Sequence, residues 1–553
     1  MQNTSFTPTI DQALTLHQQG QWEAARAIYE ALLARLPQDF DALHLLGVLE
    51  HQAKNSVRAI ELMTQAAALN PQHADVYFNL GVAQAQAKQL DAAIQSYDAA
   101  IANRADHDKA WVNRGMAWLA MGQLDRALAS LDGALAIRSN AASTHTNRGV
   151  VLKALGQFEA AMASFDQAIA CQPDYAQAYV NKGHVLRVLG RFQDAVSCYD
   201  QAIALNPRSI DAYSGRGVAL KEQLLLPQAL SSYDQALAIQ PQSVEVNWNK
   251  SLDLLLSGDF AQGWPLHEWR WHRAEAASSV RGFTQPLWLG QAPLLNQRIL
   301  LHAEQGFGDT LQFCRYVKDV ARLGAHVVLE VPSALMGLMR SLDGVAELVE
   351  CGHVLPLFDY HCPLMSLPLA LQVDAPADTG PYLCASPDKL AHWHARLAQV
   401  RSPRVGVVWS GNPNHNNDQQ RSVGLAQLLA CVPAQVQAIS LQPEVRAEDA
   451  AVLRDNPHVL HFGDELHDFE DTAALCAQMD LVISVDTSVA HLACALGKPT
   501  WLLLPFCPDW RWQLHRRDSP WYSSARLYRQ RQWGDWSNVW EEIHKDLSLQ
   551  KSF

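Results

Sequence analysis

Leu481-Val482-Ile483-Ser484-Val485-Asp486-Thr487-Ser488-Val489-Ala490-His491-Leu492-Ala493-Cys494-Ala495-Leu496-Gly497 passes from a strand pattern to a helical one. Leu481–Val485 is a short, β-branched apolar run of the kind that forms a buried strand. Asp486, Thr487 and Ser488 are residue types that favour helix N-caps. The small and apolar residues from Val489 onward suit a helix packed on a sheet. A strand feeding directly into a helix leaves free backbone N–H groups, and the positive end of the helix dipole, at the sheet's C-terminal edge. A phosphate fits there. His491 is four residues past Thr487, on the same helical face, and can reach the same anion. An ordinary capped helix with a histidine bonded to a neighbour has the same pattern, so the surrounding chain has to decide.

Around this stretch, short apolar runs alternate with helical patterns. Ile299–Ala303, His326–Val331 and Leu348–Glu350 read as strands, with helices expected at Thr310–Val320 and Ser333–Leu342. After a helix near Leu390–Leu397, a second series follows: strands at Val405–Trp409, Ala438–Leu441 and Thr500–Leu504, with helices from Leu425 and at Asp471–Met479. Such alternation implies parallel sheets covered by helices on both faces. Two series imply two Rossmann-like lobes, residues 297–400 and 401–553, the second closing with a C-terminal helix. Ligands belong in the crevice at the carboxyl ends of the strands.

The first half has a different period. Gly47, Gly81, Gly115, Gly149, Gly183 and Gly217 stand 34 residues apart, with Ala13 and Ser251 in phase at either end. Alanines from Ala25 to Ala229 repeat twelve positions later, and large residues such as Tyr29, Met63, Tyr97, Phe165 and Tyr233 four beyond those. Pro37, Pro71, Pro173, Pro207 and Pro241 close units. Small residues let two helices approach, large ones fill the gap, and proline ends the second helix. Units of this kind bury their apolar faces only by stacking, which makes a superhelix with a concave groove. Eight units span roughly residues 6–277. The last decays into Gly263-Trp264-Pro265-Leu266-His267-Glu268-Trp269-Arg270-Trp271, expected to cap the stack and dock on the next domain. Residues 278–296 then read as a connector pinned by Trp288 and Leu289.

Whole-chain properties narrow the function. At 553 residues the chain needs two or three cores. A net charge of −13 argues against a general nucleic-acid binder. There is no signal-peptide pattern at the start and no apolar run long enough to span a membrane. The ten cysteines lack CxxC pairs, mostly sit in apolar helix or strand patterns and read as reduced core thiols of a cytoplasmic protein. His392 and His394 fall on different sides of a helix, and no histidine set has metal spacing.

The repeat resembles the tetratricopeptide repeat, in which the residues two before each small marker tend to line the inner surface. Here these are Asn79, Asn113, Asn147, Asn181, Gly215 and Asn249. A similar ladder in the O-linked N-acetylglucosamine transferase holds a peptide main chain. A carboxamide both donates and accepts, so it pairs with any peptide group. The neighbouring Arg114, Arg148, Lys182, Arg216 and Lys250 suggest a preference for an acidic or phosphorylated segment. Asparagines that stabilise turns beside solvated basic residues are the plainer alternative.

Two further motifs resemble the heptosyltransferase family, glycosyltransferase family 9, with the two-lobed GT-B fold. These are Gln305-Gly306-Phe307-Gly308-Asp309 after the first strand of lobe one, and the Asp486–His491 turn in lobe two. The resemblance implies that Asp309 is the general base toward an acceptor hydroxyl, beside Gln305, Gly306 and Gly308. It implies that Thr487, Ser488 and His491 hold the donor diphosphate, with Asp486 near the sugar or ribose. An N-terminal capping aspartate is the alternative for Asp309. Heptosyltransferases place a phosphate-binding lysine in the first loop of lobe two. Here that loop, from Ser410 and Gly411 through Asn412, Asn414, Asn416 and Asn417 to Arg421, has none. Arg421 is its available cation, for a diphosphate or for a salt bridge. Gln442 ends a strand where it can meet a ribose or base. Asp509-Trp510-Arg511-Trp512 lies at the cleft edge, to stack on a base, shape the acceptor side, or simply pack in the core.

The expected architecture is therefore an all-α tetratricopeptide superhelix followed by an α/β GT-B fold. The expected activity is transfer of a sugar from a nucleotide-diphosphate sugar to a protein or peptide presented by the repeats. Transfer would proceed with inversion, without metal or cofactor. Two other readings stay open: an idle repeat scaffold in surface-polysaccharide or appendage biogenesis, and a transferase for a glycan acceptor that uses the repeats only for docking.

Overall fold

The structure, a computed structural model, describes residues 9–274, 280–414 and 417–549. It divides into two compact units, Met1–Arg216 and Gly217–Phe553.

The first unit consists of successive helices from Ile10–Gln18 to Phe192–Leu205, paired by the 34-residue period. The small markers work by close approach. A Cβ on Gly81 would stand 2.6 Å from Tyr97, one on Gly47 2.7 Å from Met63, and one on Gly183 2.8 Å from Tyr199. Ala25, Ala59, Ala93, Ala127, Ala161 and Ala195 are fully buried beside them. Gly215 breaks the asparagine series for the same reason: a side chain there would meet the Tyr199 ring at 2.5 Å.

The second unit begins within the repeats. Leu226–Ile239, Val244–Ser257 and Phe260–His267 are still repeat helices. Yet Leu226, Leu255, Leu256, Phe260 and Trp264 share one core with Ile299, Phe313, Trp510 and Trp521. The break in compactness thus falls at residue 216 and not near 277, because the tryptophan-rich seam is buried against the α/β part. The Trp264 indole donates to the Val373 carbonyl at 3.1 Å. Trp288 is buried and pins the connector by donating from its backbone N–H to the His361 carbonyl at 2.8 Å. Ser278 and Ser279 of that connector lie outside the described residues.

Two sheets follow, parallel throughout. The first contains β1 (Arg298–His302), β2 (His326–Val331), β3 (Glu347–Glu350) and β4 (Tyr360–Pro363), in the order β3-β2-β1-β4. The second contains β5 (Arg404–Val408), β6 (Gln437–Ser440), β7 (Leu460–His461), β8 (Leu481–Val485), β9 (Thr500–Leu504) and β10 (Ala525–Arg529), in the order β10-β9-β8-β5-β6-β7. That is a doubly wound order, and it reverses between β5 and β8, where Val407 pairs with Ile483. Ligands of such sheets bind at this switch point. The C-terminal helix Ser537–Leu549 buries Val539, Ile543 and Leu547 against the second sheet, with Leu425 and Leu428.

Several expected boundaries moved. The helix expected at 310–320 begins earlier, as Phe307–Phe313, then tightens through Cys314–Tyr316 before Val317–Arg322. The cause is local: the Asp309 carboxylate accepts the Gly306 N–H at 3.1 Å and starts the helix there. The helix expected at 333–342 shrinks to Ser333–Leu335 and Met336–Met339. The strands β4, β7 and β10 and the helix Ala447–Asp455 had no sequence prediction. β7 has only two residues, too few for any periodicity to register. All ten cysteines are free; Cys171, Cys351 and Cys384 are exposed and not core thiols.

Candidate functional site

β8 is buried along its whole length and delivers the turn to the sheet's C-terminal edge. Thr487 is the N-cap of helix Ser488–Ala495, in extended backbone (φ −141°, ψ 171°). Its side chain makes no cap among the described residues; its hydroxyl lies 3.3 Å from Ser484 Oγ instead. The start of this helix is thus left without a side-chain cap, which keeps its N–H groups for an anion.

The second motif meets the first. Helix Phe307–Phe313 packs on helix Ser488–Ala495, and a Cβ on Gly308 would lie 3.2 Å from His491 Cδ2 and 3.6 Å from Ser488 Cα. Two turns far apart in the chain thus touch through a glycine. Asp309 sits beside this contact. One of its oxygens accepts from Gly306 N–H, and the other forms an ion pair with Arg511. Gln305 and Gly306 are exposed at the rim. The Phe307 ring leans on Phe469, centroids 5.0 Å apart.

The loop after β5 approaches from the other side of the switch point. Arg421 donates to the Asp486 carbonyl at 2.9 Å. A Cβ on Gly411 would strike the Arg421 guanidinium at 2.5 Å, so glycine is what lets the arginine cross this loop. Gln442 is not turned toward a ligand. Its Oε1 accepts from the Trp409 and Ser410 N–H groups at 2.7 and 3.0 Å, and its Nε2 donates to Ser410 Oγ at 3.0 Å. The expected ribose or base contact is therefore replaced by a brace that shapes the loop. Asp418 takes the Arg446 guanidinium at 2.6 Å and so ties this loop to the helix Ala447–Asp455. Asn412 caps the loop internally through Asn414 N–H at 2.9 Å, and Asn416 lies outside the described residues.

The electrostatics follow from burial. Burial, reinforced by Arg511 and Arg315 against the opposing Asp509, pushes the His491 imidazole down to about 3. It is therefore a neutral hydrogen-bonding group, 3.0 Å from the Tyr522 hydroxyl and stacked on Trp512. Burial raises the Asp486 carboxyl above its ordinary range, and the like charge of Asp509 adds to this. Burial also raises Asp509, but the charge and hydrogen bonds of Arg511 outweigh it and hold that carboxyl low. Arg511 was the residue that sequence reasoning missed as a cation. Flanked by two tryptophans, it read as part of an aromatic run, and only the fold places it between Asp309 and Asp509.

In the first unit Asn79, Asn113, Asn147 and Asn181 are half-buried on the first helices of their pairs, and Asn79 bonds His44 at 2.9 Å. Asn249 is half-buried in the second unit. The basic stripe is a correction. Arg114 pairs with Asp98 at 2.6 Å, Arg148 with Asp132 at 2.6 Å, Lys182 with Asp166 at 2.6 Å, Arg216 with Asp200 at 2.9 Å and Lys250 with Asp234 at 2.5 Å. Each cation bonds an aspartate sixteen residues earlier, so the stripe joins successive helices and is neutralised, not held open for an acidic ligand.

Comparison with known proteins agrees with this layout. Tetratricopeptide-repeat models match residues 10–68, 58–108, 89–142 and 112–176, and a TPR-repeat model matches 183–223. The model of glycosyltransferase family 9 (heptosyltransferase) matches residues 466–503, which contain β8 and the Asp486–His491 turn but not Asp309. Protein FlbA of Caulobacter vibrioides is 28% identical over 312 residues, 51% of this chain and 51% of its own length. The chain thus spans about half the length of the curated relative it matches. A tetratricopeptide repeat protein from Parabacteroides merdae superposes with a TM-score of 0.38 at 14% identity, over 44% of this chain and 97% of that one. The APC/C Cut9–Hcn1 hetero-tetramer structure gives 0.37 at 18% identity, over 44% and 48%. The matches thus place tetratricopeptide repeats in the N-terminal region and a short stretch similar to glycosyltransferase family 9 in the C-terminal region. No helix among the described residues is long and apolar enough to cross a membrane.

Proposed function

We propose that the chain is a metal-independent, inverting glycosyltransferase that moves a sugar from a nucleotide-diphosphate sugar to a hydroxyl of a protein or peptide. One observation carries the reading: the Gly308–Asp309 turn of one sheet touches the Ser488–His491 turn of the other. A base and an anion site brought side by side from two sheets are what displacement at an anomeric carbon requires. The acceptor oxygen bonds to that carbon as the bond to the diphosphate oxygen breaks. The acceptor proton passes to the Asp309 carboxylate. The departing diphosphate keeps the electron pair, and its charge is spread over the uncapped N–H groups at Thr487 and Ser488 and the helix dipole. Arg421 at the switch point adds a fixed positive charge, neutral His491 a hydrogen bond, and Asp486 meets the sugar or ribose. Ser410 and Gly411 line the loop that Gln442 braces.

The half-buried asparagines at 79, 113, 147 and 181 of the first unit suit an acceptor main chain. Neutralisation of the neighbouring basic residues favours an uncharged backbone over an acidic segment. A specific observation favours a second reading, an idle scaffold: both Asp309 oxygens are already engaged. Calorimetry of the intact chain with uridine, guanosine, adenosine and cytidine diphosphates tests the donor site, and binding of none of them ends the enzyme reading. Donor turnover abolished by Asp309→Ala, with melting unchanged, separates enzyme from scaffold. Joint replacement of Asn113, Asn147 and Asn181 by alanine should remove transfer to a protein acceptor while nucleotide binding persists.

A further inference from the structure

Arg511 lies in the Trp510–Trp512 turn beyond β9, between flanking tryptophans that are both buried. Its guanidinium divides into an anchored part and a reaching part. Nε donates to Gln312 Oε1 at 2.7 Å and Nη1 to Asp509 Oδ1 at 2.9 Å, while the plane stacks on Trp510 at 4.4 Å. Nη2 alone crosses to Asp309. Asp309, Asp486 and Asp509 all act on Arg511, and Asp486 also on Arg421, so the cations nearest the donor helix are already drawn on by carboxylates. An anion gains Arg511 only where a carboxylate gives it up. Asp309, in turn, cannot take a proton well while one oxygen is held by Arg511 and the other by Gly306 N–H. The two difficulties have one solution. Resting on the donor site proposed above, we infer that Arg511 is shared between Asp309 and the donor diphosphate, so that donor binding draws Nη2 off Asp309 and releases the base.

The exchange is chemically favourable, since a guanidinium fork matches phosphate oxygens and forms charge-assisted pairs with them. Gln312 supports it: its Nε2 is buried and has no partner among the described residues, a second donor beside the same fork. Trp512, the next residue, stacks on His491, so movement of this turn is felt at the donor helix. The consequence is order. The acceptor hydroxyl is activated only after the donor has bound, and Arg511 neutralises the leaving diphosphate at the moment Asp309 takes the proton.

The test is a two-residue cycle in the full chain, titrated calorimetrically with uridine, guanosine, adenosine and cytidine diphosphates. Asp309→Asn removes the competitor and should tighten binding of the accepted diphosphate about tenfold, whereas Arg511→Gln should weaken it by about tenfold or more. In the Arg511→Gln background, the gain from Asp309→Asn should fall by at least half, leaving only the relief of direct carboxylate repulsion. Where Arg511→Gln does not melt cooperatively, Arg511→Lys, which keeps the charge but not the fork, takes its place and should reduce the gain at least by half. A gain that persists undiminished without Arg511, or no gain at all, overturns the exchange and leaves the donor site standing. A wild type that binds none of the four diphosphates overturns the functional reading and the exchange together.

Discussion

The contact at Gly308 sets how far the Gly308–Asp309 and Ser488–His491 turns stand apart, and Gly308→Ala tests it. A methyl group there would lie 3.2 Å from His491 Cδ2, whereas carbon atoms pack comfortably at about 3.5–4.0 Å. His491 cannot simply step aside, because Tyr522 bonds it at 3.0 Å and Trp512 stacks on it. The two helices must then separate by roughly 0.3–0.8 Å. Overpacking of this kind costs ~1–3 kcal/mol. Replacing a helical glycine by alanine returns up to about 1 kcal/mol, so the net loss of stability is ~0–3 kcal/mol and the melting temperature falls by less than about ten degrees. Catalysis is less tolerant. A 1 Å misplacement of reacting groups costs about 100-fold, so half that distance should cost about tenfold. The assay pairs a thermal melt with the initial rate of nucleoside-diphosphate release from the accepted donor. A wild-type rate in a normally folded variant would falsify the claim that this contact sets the catalytic gap. A fall in melting temperature of more than about ten degrees would place the strain in the core instead.

Asp309→Asn should lower transfer by about 10²–10⁴-fold with little change in melting, measured as turnover beside a melting curve. The His491 imidazole is pushed down to about 3 in the folded chain from an ordinary 6.5, so the unfolded chain binds the proton first. Its contribution to stability is full above about 6.5 and is lost as pH falls toward about 3. Wild type should therefore lose melting temperature more steeply over that window than His491→Gln, and parallel curves would refute the burial argument. Asp486, raised in the folded state, works with the opposite slope, since its contribution is present at low pH and lost as pH rises. In the repeats, a double-mutant cycle on Arg148 and Asp132 should return a coupling of ~0.2–1 kcal/mol, as expected of a half-exposed pair joining two helices. Gly149→Ala, which drives a methyl group into the Phe165 ring, should cost ~1–3 kcal/mol in denaturant unfolding.

Where sequence reasoning worked, the signal was periodic or locally complete. The 34-residue spacing locates each glycine and its large partner because a helix pair is a local unit, with fixed geometry over sixteen residues. The Leu481–Gly497 stretch announces strand, turn and helix because β-branched apolar residues, cap residues and small helix formers follow one another without interruption. Short edge strands such as Leu460–His461 escaped, since two residues carry no period. Gln442 was misread because its position at a strand end is equally suited to a ligand or to a loop, and only its contact with the Trp409 and Ser410 N–H groups decides between them.

By itself, the sequence determined a repeat solenoid joined to two α/β lobes, and the two turns worth examining. Each of these is settled by interactions between residues near in the chain. The tertiary structure alone decided the order of strands, which sets the switch point between β5 and β8. It alone decided that Gly308 rests on His491, that the basic residues of the repeats are neutralised sixteen residues back, and that Arg511 lies between Asp309 and Asp509. Charges and close contacts between residues some 200 positions apart have no signature in local composition. They exist only once the two sheets have come together.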